Sequence, residues 1–259
     1  MQFEGKVILV TGASSGLGKG LVQALARYPV TLVIVARRHD LLEVLKRDVE
    51  ALGNSCLALQ ADMLDPGQAA GVVAQSVAAY GRIDLAIHCV GGGRPLPLEA
   101  ASAEQLLSAM SNNYGTLVNL FVPLLKQLRQ QTSPSVVVHL NSLAYIVEIP
   151  RGAHYSAAKV AAQRFFDTAR IELRDSPIRL ITLNPGFVQT ENKKQKMMLG
   201  ISLERAVTLM LRAIAKEKPS YSFPWPLVVL FKLISLLPRG LRGRILARLS
   251  DRESGKYTE

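Results

Sequence analysis

Cysteine is nearly absent: Cys56 and Cys89 are the only two in 259 residues. Two thiols cannot build a disulfide scaffold or a four-cysteine zinc site, so the chain has to rely on an apolar core. Long apolar runs are missing as well. The uncharged apolar-rich stretch at residues 221–231 is 11 residues long, against about 20 for a simple membrane span. No basic segment followed by an apolar stretch opens the sequence, which predicts no signal peptide and a cytoplasmic protein. With 19 glycines, 13 prolines and 49% hydrophobic residues, the composition excludes collagen-like, low-complexity and disordered classes. No polar linker or internal repeat interrupts the pattern, so residues 1–259 are expected to form one domain.

Acidic residues are scarce in one place. The net charge is +11, yet residues 1–190 hold 17 basic and 14 acidic side chains, whereas residues 191–259 hold 14 and 6. Between Trp225 and Ser250 lie Lys232, Arg239, Arg242, Arg244 and Arg248 and no carboxylate. Such a field invites an anionic partner. Nucleic acid is excluded as that partner, because no recognition motif accompanies the basic tail.

What is present is an alternation of short apolar runs and helical patterns. Residues 6–11, 31–36, 55–60, 83–89, 135–140 and 178–183 read as strands. The first is a short β-branched and apolar run bounded by Gly5 and Gly12, as strands covered on both faces are. Residues 17–27, 41–52, 66–80, 103–114, 117–130 and 155–174 carry helical spacing, with Pro66 at a first-turn position. Strand and helix follow one another with short connections. This order predicts an α/β, Rossmann-like, doubly wound parallel sheet with helices on both faces, plus a C-terminal helical extension.

Thr11-Gly12-Ala13-Ser14-Ser15-Gly16-Leu17-Gly18 lies between the first strand and the first helix. Glycines there permit a tight turn and close approach to a pyrophosphate, while the helix N-terminus offers unpaired N–H groups. Gly12, Ser14, Ser15, Gly16, Leu17 and Gly18 are therefore candidate dinucleotide contacts. The second strand ends in Arg37 and Arg38 rather than a carboxylate. Arginine pairs with a 2′-phosphate, which predicts NADP(H) over NAD(H). Asp62, ending the third strand, is read either as an acceptor for an adenine amino group or as a helix-capping carboxylate.

Ser142, Tyr155 and Lys159 form the candidate catalytic set. Tyr155 and Lys159 are four apart and share a helix face. Ser142 follows a strand at the carboxyl edge, where doubly wound sheets bind ligands. A neighbouring cation would help a phenol exchange protons near neutral pH, and Ser142 would hydrogen-bond the reacting oxygen.

With these residues in place, the chain from about Gly5 to Thr190 resembles the short-chain dehydrogenase/reductase family. The glycine loop, Ser142 and the Tyr155-Ser156-Ala157-Ala158-Lys159 segment match its motifs. The resemblance implies that Tyr155 is the acid/base of hydride transfer between NAD(P)H and a carbonyl or alcohol. It implies that Lys159 lowers the tyrosine's pKa and holds the nicotinamide ribose. Asn112, three before Gly115, matches an asparagine of the proton relay. Gly91 keeps close approach to the cofactor, and Pro185, Gly186, Val188 and Thr190 match the nicotinamide segment. The family also implies a homo-oligomer, dimer or tetramer, built on the long helices. Two positions depart from the family: His88-Cys89 stands where an amide pair is usual, and Tyr145 where glycine is frequent. His88 is read as a structural donor and Cys89 as a small filler, with no metal site expected.

Residues 191–218 are expected to form a substrate lid and helix, with Met197 and Met198 giving a greasy pocket. Residues 219–259 are a basic, hydrophobic extension. Leu241, Ile245, Leu246 and Leu249 would share an apolar helix face, with Arg242, Arg244 and Arg248 turned away. That pattern fits peripheral contact with an anionic membrane, or an oligomer contact or pocket cover. The expected substrate is a hydrophobic small molecule, such as a lipid, sterol or long-chain acyl carbonyl. Alternatives are an NAD-dependent alcohol dehydrogenase and a noncatalytic, membrane-associated dinucleotide-binding scaffold.

Overall fold

A computed structural model describes residues 1–189 and 199–254. In chain order the elements are β1 (Val7–Thr11), α1 (Gly16–Leu25), β2 (Thr31–Ala36), α2 (His39–Glu50), β3 (Ser55–Gln60), α3 (Pro66–Tyr80) and β4 (Leu85–His88). They continue with α4 (Ala103–Met110), α5 (Thr116–Leu128), β5 (Ser135–Leu140), α6 (Ala153–Glu172), β6 (Ile178–Pro185) and β7 (Val188–Gln189). The described chain ends with β8 (Ile201–Ser202), α7 (Leu203–Ala215), β9 (Ser220–Phe223), α8 (Trp225–Ser235) and α9 (Arg239–Ser254). Seven strands form one sheet in the order β3-β2-β1-β4-β5-β6-β9, every neighbouring pair parallel.

The two faces follow from strand periodicity, since successive side chains point to opposite sides. In β1, Ile8 and Val10 join one core and Leu9 the other; in β2, Leu32 and Ile34 part from Val33 and Val35 in the same way. The first core is closed by Leu21 and Leu25 of α1, Leu42 and Leu45 of α2, and Met210 and Ile214 of α7. The second is closed by Val72 of α3, Leu120 and Leu124 of α5, and Phe166 of α6. Helices thus cover both faces, as the continuous apolar strands predicted.

Two features depart from the sequence expectation. β9 adds a seventh strand beside β6, in a segment not among the expected strands; its four residues, Ser-Tyr-Ser-Phe, bury only Phe223 fully. The extension α8–α9 is not an appendage. Leu227, Phe231 and Ile234 of α8 and Leu246 of α9 form a third cluster with Leu143 and Val147, just past β5. On α9, Leu241 is turned outward, 47% exposed, against the expected apolar face. Arg242 is turned inward instead, donating to Glu148 Oε1 at 2.6 Å and to the Ser235 carbonyl at 3.1 Å. An ion pair to the loop that α9 covers sets that helix's rotation.

Candidate active site

The glycine loop turns out of β1 with Gly12 at φ +73° and Gly16 at φ +55°, backbone that side chains disfavour. Gly18 answers a different need: a Cβ there would lie 2.2 Å from the Gly12 carbonyl oxygen. The helix therefore starts hard against the turn. Ser15 precedes α1 without a side-chain cap, leaving the first-turn N–H groups for an anionic ligand. Ser14 Oγ accepts from Arg38 Nη2 at 2.8 Å, which folds that guanidinium over the loop. Arg37 reaches Asp62 Oδ2 at 3.9 Å and stays 71% exposed. Asp62 does not cap α3; its other oxygen accepts from the Leu64 N–H at 3.0 Å. The capping carboxylate is Asp65, which accepts from Gly67 and Gln68. The cradle fits a dinucleotide: donors and glycines surround the loop, and two cations stand at the end of β2.

A cavity of about 190 Å³ opens at the carboxyl ends of β4, β5 and β6. Its walls bring together residues far apart in sequence: Leu17, Gly91, Ser142, Tyr155, Lys159 and Pro185, with Gly186 and Val188 beside them. The Ser142 and Tyr155 hydroxyls are hydrogen-bonded, and Ser142 Oγ also accepts from the Ala144 N–H at 3.2 Å. Lys159 is 2% exposed and donates to the Leu140 carbonyl at 3.2 Å. Its ammonium lies 5.5 Å from the Tyr155 ring centroid. Thr190, and residues 191–198 of the expected lid with Met197 and Met198, lie outside the described residues.

The electrostatics differ from the family-derived expectation. Burial pushes the Tyr155 hydroxyl above the usual phenol range, and its hydrogen bond to Ser142 opposes this in part. Burial also lowers the Lys159 ammonium to about 8, with Cys89 acting weakly in the other direction. Without nucleotide, then, the tyrosine is a firmly protonated acid, and the lysine is the group poised near neutrality. Burial raises the Cys89 thiol to about 12, which removes the thiolate character a nucleophile needs.

The fully buried amide of this segment is Asn113, one residue beyond the expected Asn112. Asn113, fully buried, accepts from the Gly92 N–H at 2.9 Å and donates to the Gly92 and Ala109 carbonyls, each at 2.9 Å. Asn112 is half-buried, and its carbonyl accepts from Thr116 Oγ1 at 2.9 Å. Between α4 and α5, residues Ser111–Gly115 form a π-helical turn. The extra residue shifts the inward face, so the Asn113 side chain, rather than that of Asn112, reaches Gly92.

Other arrangements near the site were not legible in the sequence. His88 and His139 face one another across β4 and β5, with Nδ1 atoms 3.2 Å apart. Burial lowers His88 to about 3 and His139 well below the usual range, so both rings are neutral. One Nδ1 must donate and the other accept; the 51-residue separation hid the pair. Gly93 is a second case. A Cβ there would sit 2.8 Å from Tyr155 Cδ2, so the absence of a side chain is what seats the tyrosine ring. Gly93→Ala is expected to lower kcat by up to about 10²-fold through sub-ångström displacement of the ring. NADPH affinity should change far less, as steady-state kinetics beside a binding titration will show. Gly186 has an analogous constraint. A Cβ would meet Leu227 Cδ2 at 2.5 Å and Leu143 Cδ1 at 3.0 Å, so α8 packs directly on the predicted nicotinamide segment.

Comparison with known proteins agrees with this geometry. Residues 6–198 match a family model described as short chain dehydrogenase. An uncharacterized oxidoreductase of Myxococcus xanthus (strain DK1622) is 28% identical over 247 residues, covering 94% of this chain and 97% of that protein. An 11-beta-hydroxysteroid dehydrogenase of Pinus massoniana is 28% identical over 198 residues, 75% of this chain; the match spans 54% of that longer relative. Among solved structures, a short chain dehydrogenase/reductase from Burkholderia phymatum in complex with NAD superimposes with a TM-score of 0.81 at 19% identity, covering 90% of this chain and 94% of that one. An alcohol dehydrogenase from the archaeon Thermococcus sibiricus, complexed with 5-hydroxy-NADP, gives 0.77 at 23% identity, with coverages of 85% and 96%.

Proposed function

The chain belongs to the short chain dehydrogenase family, and from that premise we propose that it is an NADP(H)-dependent oxidoreductase acting on a hydrophobic carbonyl or secondary alcohol. The observation that carries this reading is the convergence of Ser142, Tyr155 and Lys159 on one cavity facing the glycine-lined end of β4. NADP(H) supplies or accepts the hydride when bound. The chain's own residues manage the oxygen. Ser142 orients it by hydrogen bonding, and Tyr155 donates a proton to it during reduction and takes one during oxidation. Lys159 holds positive charge behind the tyrosine and stabilises the negative charge that develops on its oxygen as the proton leaves. Asn113 ties α4–α5 to Gly92, positioning the loop that carries Gly93 against Tyr155.

Preference for NADP(H) over NAD(H) rests on Arg37 and Arg38 at the end of β2, with Arg38 already drawn over Ser14. The hydrophobic substrate class rests on the surroundings. A groove of about 710 Å³ runs between the loop after Ser142, α6 and α9, and is lined by Tyr145, Ile146, Val147, Ile149, Val160 and Leu246 among others. The hydroxysteroid named for the pine relative is of the same apolar alcohol–ketone chemistry. Assembly into a homo-oligomer fits Val122 of α5 and Val160 of α6, 47% and 49% exposed on neighbouring helices.

Fluorescence titration with NADPH and with NADH tests the cofactor assignment. NADPH should bind about tenfold or more tightly than NADH, consistent with one or more charge-assisted contacts. Arg37→Ser combined with Arg38→Ser should erase most of that difference while sparing NADH. Equal affinities in the wild type would overturn the preference. Absence of binding to either nucleotide by folded protein would overturn the reading as a whole.

A further inference from the structure

The apolar surface of α8 is divided in two. Leu227, Phe231 and Ile234 face inward, while Trp225, Val229, Leu233 and, just past the helix, Leu236 face solvent at 75%, 46%, 59% and 81% exposure. The outward residues recur at spacings of four, four and three, which is one stripe. Leu241 at the start of α9 is exposed as well, at 47%. Around the stripe lie Lys232, Arg239, Arg244 and Arg248, all exposed, and from residue 225 to 250 no carboxylate answers them. α8 has 11 residues, about 16 Å of helix, and among the described residues no helix is long and apolar enough to cross a membrane.

We propose that this face of α8 and early α9 docks the protein on an anionic phospholipid bilayer. Charge decides between the occupants. A second copy seated on the same face would bring like charges together with no acidic partner between residues 225 and 250. An anionic lipid surface satisfies the cations, while the stripe of Trp, Val and Leu enters the headgroup boundary. The docked face also has a consequence for the site. The inner side of the same helix touches Gly186, and its cluster holds Leu143 and Val147 after Ser142. Docking through α8 therefore brings the lipid surface within about one helix diameter of the Gly186 wall of the catalytic cavity.

Trp225 is the single tryptophan of the chain, so the face carries its own probe. Full-length protein is titrated with phosphatidylcholine vesicles, pure or containing about 30% phosphatidylglycerol, a charge density in the range that attracts basic segments. The expected result is a blue shift of tryptophan emission and co-sedimentation with the anionic vesicles, both weakened at high salt. Arg239→Gln with Arg244→Gln and Arg248→Gln should shrink the shift, and Leu233→Ser with Leu236→Ser should abolish sedimentation. These positions are exposed, so NADPH binding by the variants reports that they are folded. No shift and no sedimentation with either vesicle would overturn the proposal. So would a lipid-independent blue shift that grows with protein concentration, since a second copy would then cover the face. Vesicle binding by protein that ignores both nucleotides would leave this proposal standing and overturn the proposed activity.

Discussion

Replacing Tyr155 by Phe is expected to lower kcat for carbonyl reduction by about 10²–10⁴-fold, the range that a positioned acid contributes. NADPH affinity should be nearly unchanged, because the ring remains beside Gly93 and only the hydroxyl is lost. The structure adds a directional expectation. Burial raises the Tyr155 pKa, so the group is a protonated donor throughout the neutral range and a scarce base. For the wild type, reduction should run well at neutral pH, and oxidation should accelerate as pH rises and the phenolate becomes populated. Stopped-flow binding beside steady-state rates in both directions separates these claims. Retained turnover in the phenylalanine variant would remove Tyr155 from the chemistry. Lost turnover with intact binding would also exclude the scaffold alternative.

The parts of this molecule that were legible in the sequence are those governed by short-range rules. Strand periodicity and the glycine turn depend on neighbours within a few residues, so β1 to β6 and the cradle around Gly12, Gly16 and Gly18 could be read directly. Tyr155 and Lys159 are four apart on one helix, which fixes their common face regardless of the rest. What escaped was set by longer-range geometry. The identity of the buried asparagine turned on a π-turn at Ser111–Gly115, where one extra residue moves the inward face from Asn112 to Asn113. The His88–His139 pair depends on the register of β4 against β5. Gly93 matters only because Tyr155 arrives from 62 positions later, a juxtaposition the close approach of 2.8 Å makes plain. On α9 the expected apolar face holds at Ile245, Leu246 and Leu249; Leu241 alone turned outward, and Arg242 took an inward position through its ion pair with Glu148.

Lys159 carries the second large expectation, and it couples function to stability. The ammonium is 2% exposed, with the Leu140 carbonyl as its hydrogen-bond partner, and burial brings its pKa from 10.5 to about 8. A lysine whose folded pKa is depressed binds its proton more weakly in the native state than in the unfolded chain. The resulting destabilisation is fully present below about pH 8 and is relieved as pH climbs from there toward 10.5. Lys159→Met removes the buried charge and keeps most of the volume. Measured without nucleotide at pH 7, the variant is expected to be more stable by about 2 kcal/mol, the linkage gain less the lost hydrogen bond. The advantage should shrink at pH 9.5, where the wild-type lysine has shed much of its proton. Turnover should meanwhile fall by about 10²–10⁴-fold, since the charge behind Tyr155 is gone. Denaturant unfolding of both proteins at the two pH values, beside the rates, decides the matter. A variant that is less stable at both would mean that Lys159 is a structural residue rather than a cation held at a cost for the chemistry. For the wild type, kcat/KM for reduction should decline above about pH 8 as the same proton leaves.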